Sequence, residues 1–161
     1  MLAFLRTLVF TVFVPGFWTV LVPYWLVRRH SRLELRATAI AGWLLVIAGV
    51  ALYLTCAFWG FALRGGGTPA PIDPPKRLVV EGPYRIVRNP MYWSVATVMM
   101  GEALVLRSPA LAEIGGVFFA CTVLFVMVYE EPILRHKFGA EYETYCQQVP
   151  GWIPRFRNKL N

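Results

Sequence analysis

The sequence predicts an all-α integral membrane protein, a bundle of about four transmembrane helices forming a single domain over 1–161. Three observations predict it. Hydrophobic types make up 57% of the 161 residues and charged types only 16%, where a soluble domain carries about 25% charge. Mean hydropathy is +0.53, which also excludes disorder. The apolar residues are gathered into long runs separated by segments rich in arginine, glycine and proline, the pattern of a chain whose solvent is a bilayer.

The first two runs form the N-terminal part, 1–63. Thr7–Val27 holds 21 residues without a charge and Thr38–Leu63 holds 26, and about 20 suffice to cross. The first meets Arg28 and Arg29 directly and lacks a small-x-small exit, so it reads as a retained anchor and not a signal peptide. Pro15 and Gly16 kink it, which a bundle tolerates. Gly42 and Gly49, seven apart, share one face of the second run, where another helix can come close. A loop follows over 64–90. Its first part, Gly65 to Pro75, carries glycine and proline throughout and cannot be a helix. Its second part, Lys76 to Pro90, mixes aromatics, arginines and turn residues in the manner of a binding loop.

Residues 91–131 form a helical hairpin. Its runs, Met91–Leu106 (interrupted by Glu102) and Ile114–Tyr129, have 16 residues each, about 24 Å of helix against a ~30 Å hydrocarbon core. Extension to Pro90 and Glu131 makes up the shortfall, and Arg107-Ser108-Pro109 turns between them. Glu102 falls nearer the opposite interface, where water solvates it. The tail, 132–161, is polar and aromatic.

Net charge is +7, from 16 Lys+Arg against 9 Asp+Glu. The basic residues sit between apolar runs, so anionic headgroups and topology explain them better than nucleic acid does. With four spans, the N-terminus, the loop and the tail share a side carrying 11 basic residues against five opposite, which places loop and tail in the cytoplasm. Arg28, Arg29, Arg32 and Arg36 pull the other way. Cys56, Cys121 and Cys146 are far apart and His30 and His136 are the only histidines, so no metal site is expected. Cys56 and Cys121 are expected as small buried hydrophobes.

A hairpin centred near Ala110 brings Asn89 and Pro90 level with Glu131 and Glu130, so its two most polar flanks meet at one membrane face. Simpler roles exist for most of these residues. Asn89-Pro90 has the form of a helix N-cap and first residue. Arg85 and Arg88 can snorkel to headgroups, and Tyr84, Tyr92 and Trp93 suit an interfacial belt. Glu130 and Glu131 are harder to dismiss: paired carboxylates at the C-terminal end of an apolar run oppose the helix dipole and call for a cation, either Arg85, Arg88 or a ligand.

Gly82-Pro83-Tyr84-Arg85-Ile86-Val87-Arg88-Asn89-Pro90-Met91-Tyr92 followed by Glu130-Glu131 resembles the Arg-His-Pro-x-Tyr … Glu-Glu pattern of isoprenylcysteine carboxyl methyltransferases. The tail, Phe138-Gly139-Ala140-Glu141-Tyr142 through Ile153-Pro154, continues the likeness, which covers roughly residues 76 to 156. Asn89 stands where that family usually has His. Asn-Pro-Met-Tyr-Trp with a later Tyr-Glu-Glu-Pro is similar to the related phosphatidylethanolamine N-methyltransferases. The resemblance implies S-adenosylmethionine as cofactor, held in a cytosolic pocket formed by the loop before helix 3, the hairpin and the tail. It assigns cofactor binding to Val79, Val80, Gly82, Tyr84, Asn89, Pro90, Tyr92, Glu130 and Glu131, with Gly82 allowing close backbone approach. Arg88 and Glu131 become the catalytic candidates, Arg88 orienting a carboxylate acceptor and Glu131 serving as base for an amine. The acceptor is lipid-like, a membrane lipid or another hydrophobic molecule entering from the bilayer. Alternatives are a nicotinamide-dependent membrane reductase of the sterol-reductase type and a non-catalytic lipid-binding protein, which leaves Glu130-Glu131 unexplained.

Overall fold

A computed structural model describes residues 2–30, 37–68 and 75–155. The Ser31–Arg36 part of the arginine cluster, residues 69–74 of the glycine-proline loop and the tail beyond 155 lie outside these described residues. Among the described residues every regular element is helical, as lipid requires of a chain that must satisfy its backbone within each segment. The first helix comprises α1 (Leu2–Phe13), a π-helical turn (Phe17–Leu21) directly after Pro15-Gly16, and α2 (Val22–His30). The second comprises α3 (Ala37–Leu54) and a π-helical stretch (Thr55–Gly65). A short 3-10 turn, Gly82–Arg85, precedes α4 (Pro90–Val105). Then come α5 (Pro109–Phe125), a π turn (Val126–Glu130), α6 (Glu131–Phe138) and α7 (Ala140–Gln148).

Three helices are long and apolar enough to cross a membrane: Leu2–Leu26, Thr38–Gly65 and Pro109–Phe138, of 25, 28 and 30 residues. The fourth expected span, α4, has 16 residues, about 24 Å, which is shorter than the ~30 Å hydrocarbon layer. The last span runs on past the expected end at Glu131. Its π turn shifts the hydrogen-bonding register, the Glu131 amide donating to the Val126 carbonyl, and Pro132 falls in the first turn of α6, where its missing N–H costs nothing.

Small residues decide how the bundle closes. A Cβ added to Gly42 would stand 2.7 Å from the Gly101 carbonyl oxygen, one on Gly101 2.6 Å from the Gly42 carbonyl oxygen, and one on Gly49 2.8 Å from that of Ser94. The expected Gly42–Gly49 face is therefore the surface on which α4 rests, and Gly101 is its counterpart. Glu102, expected to be solvated, is half-buried, with its Oε2 enclosed and without a hydrogen bond among the described residues. Cys56 is buried as expected, but Cys121 is exposed on an α5 face that also exposes Val117 and Leu124. That face turns towards the bilayer.

The hairpin turn, Leu106-Arg107-Ser108, lies earlier than the Ala110 centre read from the sequence. Ser108 caps α5 by accepting from the Leu111 amide, and Pro109 is its first residue. Trp93 meets Phe119 of α5, ring centroids 4.6 Å apart, and its neighbour Tyr92 reaches Glu130 further along the last helix. The main core gathers Tyr53, Cys56, Tyr84, Met91, Val95 and Met99. A satellite core of Tyr142, Tyr145 and Val149 seats the tail.

Gly42→Val should force α3 and α4 apart and lower stability by about 1–3 kcal/mol, the scale of overpacking. Gly116→Ala, inside α5 at a position with no neighbour within 4 Å, should leave the midpoint of thermal unfolding in lipid nanodiscs the same or slightly higher, since alanine favours the helix by about 0.5–1 kcal/mol.

Candidate functional site

The loop is fixed to the end of the second helix before it reaches the hairpin. The Lys76 and Arg77 amides both donate to the Gly65 carbonyl, at 2.8 and 3.3 Å. Gly82 has a φ of +58°, and a Cβ there would meet the Trp59 ring at 2.7 Å. Its lack of a side chain thus serves the turn and the tryptophan. The turn buries Tyr84 edge-on against Phe61, centroids 5.7 Å apart, and the Tyr145 hydroxyl donates to the Tyr84 carbonyl at 2.7 Å.

Arg88 then joins three segments. Its Nη2 donates to Glu131 Oε1 at 2.6 Å, and its Nη1 to the Cys146 and Val149 carbonyls at 3.3 and 3.4 Å. The two charged side chains are only 14% and 17% exposed, so the pair is largely desolvated. Glu131 also faces Arg135 at 3.7 Å, and Arg135 bonds Glu143 on α7. The cation that the paired carboxylates call for is therefore Arg88, while Arg85 is exposed. Asn89 occupies the N-cap position of α4, yet its side chain makes no cap bond. Nδ2 donates instead to the Gly151 carbonyl at 3.1 Å, which the Asn89 amide also reaches at 3.2 Å.

These contacts enclose a cavity of about 340 Å³, within the range of small-molecule sites. Val79, Tyr84, Arg88, Asn89, Tyr92 and Glu130 line it, and Val80, Gly82, Pro90 and Glu131 do not. Val80 is 41% exposed on the outer face of the loop, and Pro90 is buried at the start of α4. The neighbouring carboxylates thus part company, since successive helical residues point about 100° apart. Glu131 turns to Arg88, and Glu130 turns to the cavity, where the Tyr92 hydroxyl donates to its Oε2 at 2.6 Å. Apart from Thr68, the rest of the wall is apolar or aromatic and includes Phe10 and Val14 of the first helix, Phe125, Ile133, Tyr142 and Tyr145. Sequence reasoning missed these. The tail tyrosines carried a signal in their i, i+3 spacing, but Phe10 and Val14 look like any other lipid-facing residues of an apolar run.

The phenols of Tyr84, Tyr142 and Tyr145 are held in their protonated form. Burial, then the neighbouring Cys56 thiol, pushes Tyr84 well above the ordinary range. Burial also raises Tyr142, with the Glu131 charge adding to it, and raises Tyr145 against the opposing charge of Arg88. The Tyr84 hydroxyl and the Arg88 Nε are buried donors without a hydrogen-bond partner, the kind of group that a ligand completes. Among the described residues no three His, Cys, Asp or Glu side chains come together as a metal site.

A family model described as phospholipid methyltransferase matches residues 37–141. Protein-S-isoprenylcysteine O-methyltransferase B of Arabidopsis thaliana is 35% identical over 82 residues, covering 48% of this chain and 40% of that protein. A probable protein-S-isoprenylcysteine O-methyltransferase of Oryza sativa subsp. indica, and one of subsp. japonica, are each 32% identical over 88 residues, covering 48% of this chain and 41% of theirs. The matches thus span less than half the length of these relatives.

Removing either partner of the Arg88–Glu131 pair strands a desolvated charge, for which about 3 kcal/mol is the expected cost. Arg88→Met and Glu131→Leu should each lower the unfolding midpoint and expose the tail to protease. The double variant should recover part of the loss, and a thermal-unfolding double-mutant cycle measures the coupling.

Proposed function

The chain belongs to the phospholipid methyltransferase family, and we propose that it is a membrane methyltransferase using S-adenosylmethionine to methylate a lipid-like acceptor. The observation that carries this reading is the coincidence of the matched region with the cavity. Tyr84, Arg88, Asn89, Tyr92 and Glu130 all lie within residues 37–141 and all line it. The chemistry of the wall fits the cofactor. Glu130, Arg88 and Asn89 give a largely apolar and aromatic chamber a few polar groups, and the buried Tyr84 hydroxyl there has no hydrogen-bond partner.

In this reading Glu130, oriented by the Tyr92 hydroxyl, holds the cationic or hydroxyl groups of the cofactor, and Tyr84 and Tyr92 offer aromatic faces. Bound there, the cofactor supplies an electrophilic methyl group on a sulfonium sulfur. The chain's own part is positioning and exclusion of water. Phe10, Val14, Phe125 and Ile133 keep the chamber dry and receive the apolar body of the acceptor. A prenylated cysteine, as in the names of the plant relatives, and a phospholipid, as in the family's description, both suit such a wall. Arg88 sits at the cavity edge with its Nε uncommitted, and this donor faces the acceptor. Glu131, turned away and paired, acts through Arg88 as a positioning residue. If the acceptor is an amine, the carboxylate within reach of its proton is Glu130. The site opens to the cytoplasm, by the excess of basic residues on the loop and tail side.

Calorimetric titration with S-adenosylhomocysteine tests the cofactor, with NADPH as the comparison. Glu130→Gln should weaken S-adenosylhomocysteine binding by about 1–3 kcal/mol, the scale of a charge-assisted hydrogen bond. Binding of NADPH alone would overturn the methyltransferase reading. An unchanged affinity in Glu130→Gln would remove that carboxylate from the cofactor site.

A further inference from the structure

The tail segment Val149 to Trp152, buried or half-buried, is tied to the hairpin along its whole length. The carbonyls of Val149, Pro150, Gly151 and Trp152 are all accepted into hydrogen bonds from Arg88, Asn89 and Trp93. The Trp152 ring packs edge-on against Phe119 of α5 at 5.3 Å, and Phe119 packs against Trp93 at 4.6 Å. The tail thus ends in an aromatic cluster on the flank of the hairpin, outside the cavity.

The depth of that cluster follows from the turn. Arg107 is exposed, and a guanidinium keeps its end of the hairpin at the headgroups. Phe119 lies twelve residues further along, about 18 Å into a hydrocarbon layer of about 30 Å. The N-terminal end of α4 is no higher, because 16 residues give only about 24 Å of helix. Anything bonded to Asn89 and Trp93 is therefore held at or below the bilayer surface on that side. Ile153 is 76% exposed, one residue beyond the Trp152 ring that packs on Phe119. Arg155 follows, exposed and basic, which suits a return to anionic headgroups.

We propose that Trp152 and Ile153 form a membrane-inserted hook, with bilayer lipid as the partner, that holds the C-terminal tail against the cavity wall. The hook bears on the site because the carbonyls it positions are those bonded to Arg88 and Asn89. Lipid contact at Ile153 thereby stabilises the wall without touching any ligand. The inference is independent of the reaction chemistry.

The test uses the full chain in phospholipid nanodiscs. Cys121 is exposed and Cys146 partly so, so a spin label is placed at Ile153→Cys in a Cys121→Ser, Cys146→Ser background, with Gln147→Cys on the exposed face of α7 as reference. The label at 153 should collide more with oxygen than with a water-soluble nickel chelate, and the label at 147 should show the reverse. A nickel-dominated profile at 153 would overturn the hook. A label at 153 shielded from both reagents would also overturn it, as a protein contact. Ile153→Asp supplies the second readout. As Ile153 is mostly exposed, the substitution is harmless to folding if the residue faces water. If it faces lipid, hydrogen exchange of the Arg88 and Asn89 amides should accelerate several-fold while the midpoint of unfolding hardly moves. Unchanged exchange would sink the proposal.

Discussion

The fold around the cavity depends on one guanidinium. Arg88 leaves the loop, meets Glu131 on the last long helix and takes two carbonyls from the tail. Three segments distant in sequence are thereby brought to one point. Desolvating a charge pair costs about as much as the attraction returns, so its contribution is geometric more than energetic. A planar donor fork admits a few directions only, and a lysine in its place would permit many. Once Arg88 is fixed, the Arg88 and Asn89 amides meet the Pro150 and Gly151 carbonyls, and the tail becomes a wall of the cavity.

The pair in turn depends on departures from regular helix. The π turn at Val126–Glu130 resets the facing of the residues after it, and so sets which surfaces the two diverging carboxylates reach. The π stretch at Thr55–Gly65 carries Phe61 to the cavity and Trp59 beneath Gly82. Such widened turns lose hydrogen-bond quality and persist where packing compensates. Here the compensation comes from aromatic contacts with the loop. At the far end of the bundle, α3 and α4 touch backbone to backbone through Gly42, Gly49 and Gly101. This contact places the short α4, and so the start of the polar wall, without needing α4 to span the bilayer.

The cavity combines an apolar side, drawn from helices that also face lipid, with a polar side drawn from the loop and tail. That division suits a reaction between a polar cofactor and an acceptor that lives in the membrane. It also explains the uneven distribution of charge: Glu131 and Arg88 neutralise each other in the scaffold, and Glu130 stands alone at the chamber.

Composition and run length by themselves determined the solvent, the helical class and the hairpin, because burial of apolar residues in a bilayer and backbone self-satisfaction are local requirements written in consecutive residues. The Gly42–Gly49 face was legible for the same reason, being a spacing within one helix. The family was legible only as a resemblance carried by the Gly82–Tyr92 and Glu130-Glu131 motifs. The loop and the Glu130-Glu131 pair could be placed at one face from span lengths alone. Which carboxylate would face the cavity could not. Nor could the use of Asn89 to tie the tail, the Gly82 contact with Trp59, the enclosure of Glu102, or the entry of Phe10 and Val14 into the wall. Those were decided by tertiary structure, because each depends on the rotation of one helix relative to another. A π turn or a glycine contact sets that rotation at a distance from the residues whose roles it assigns.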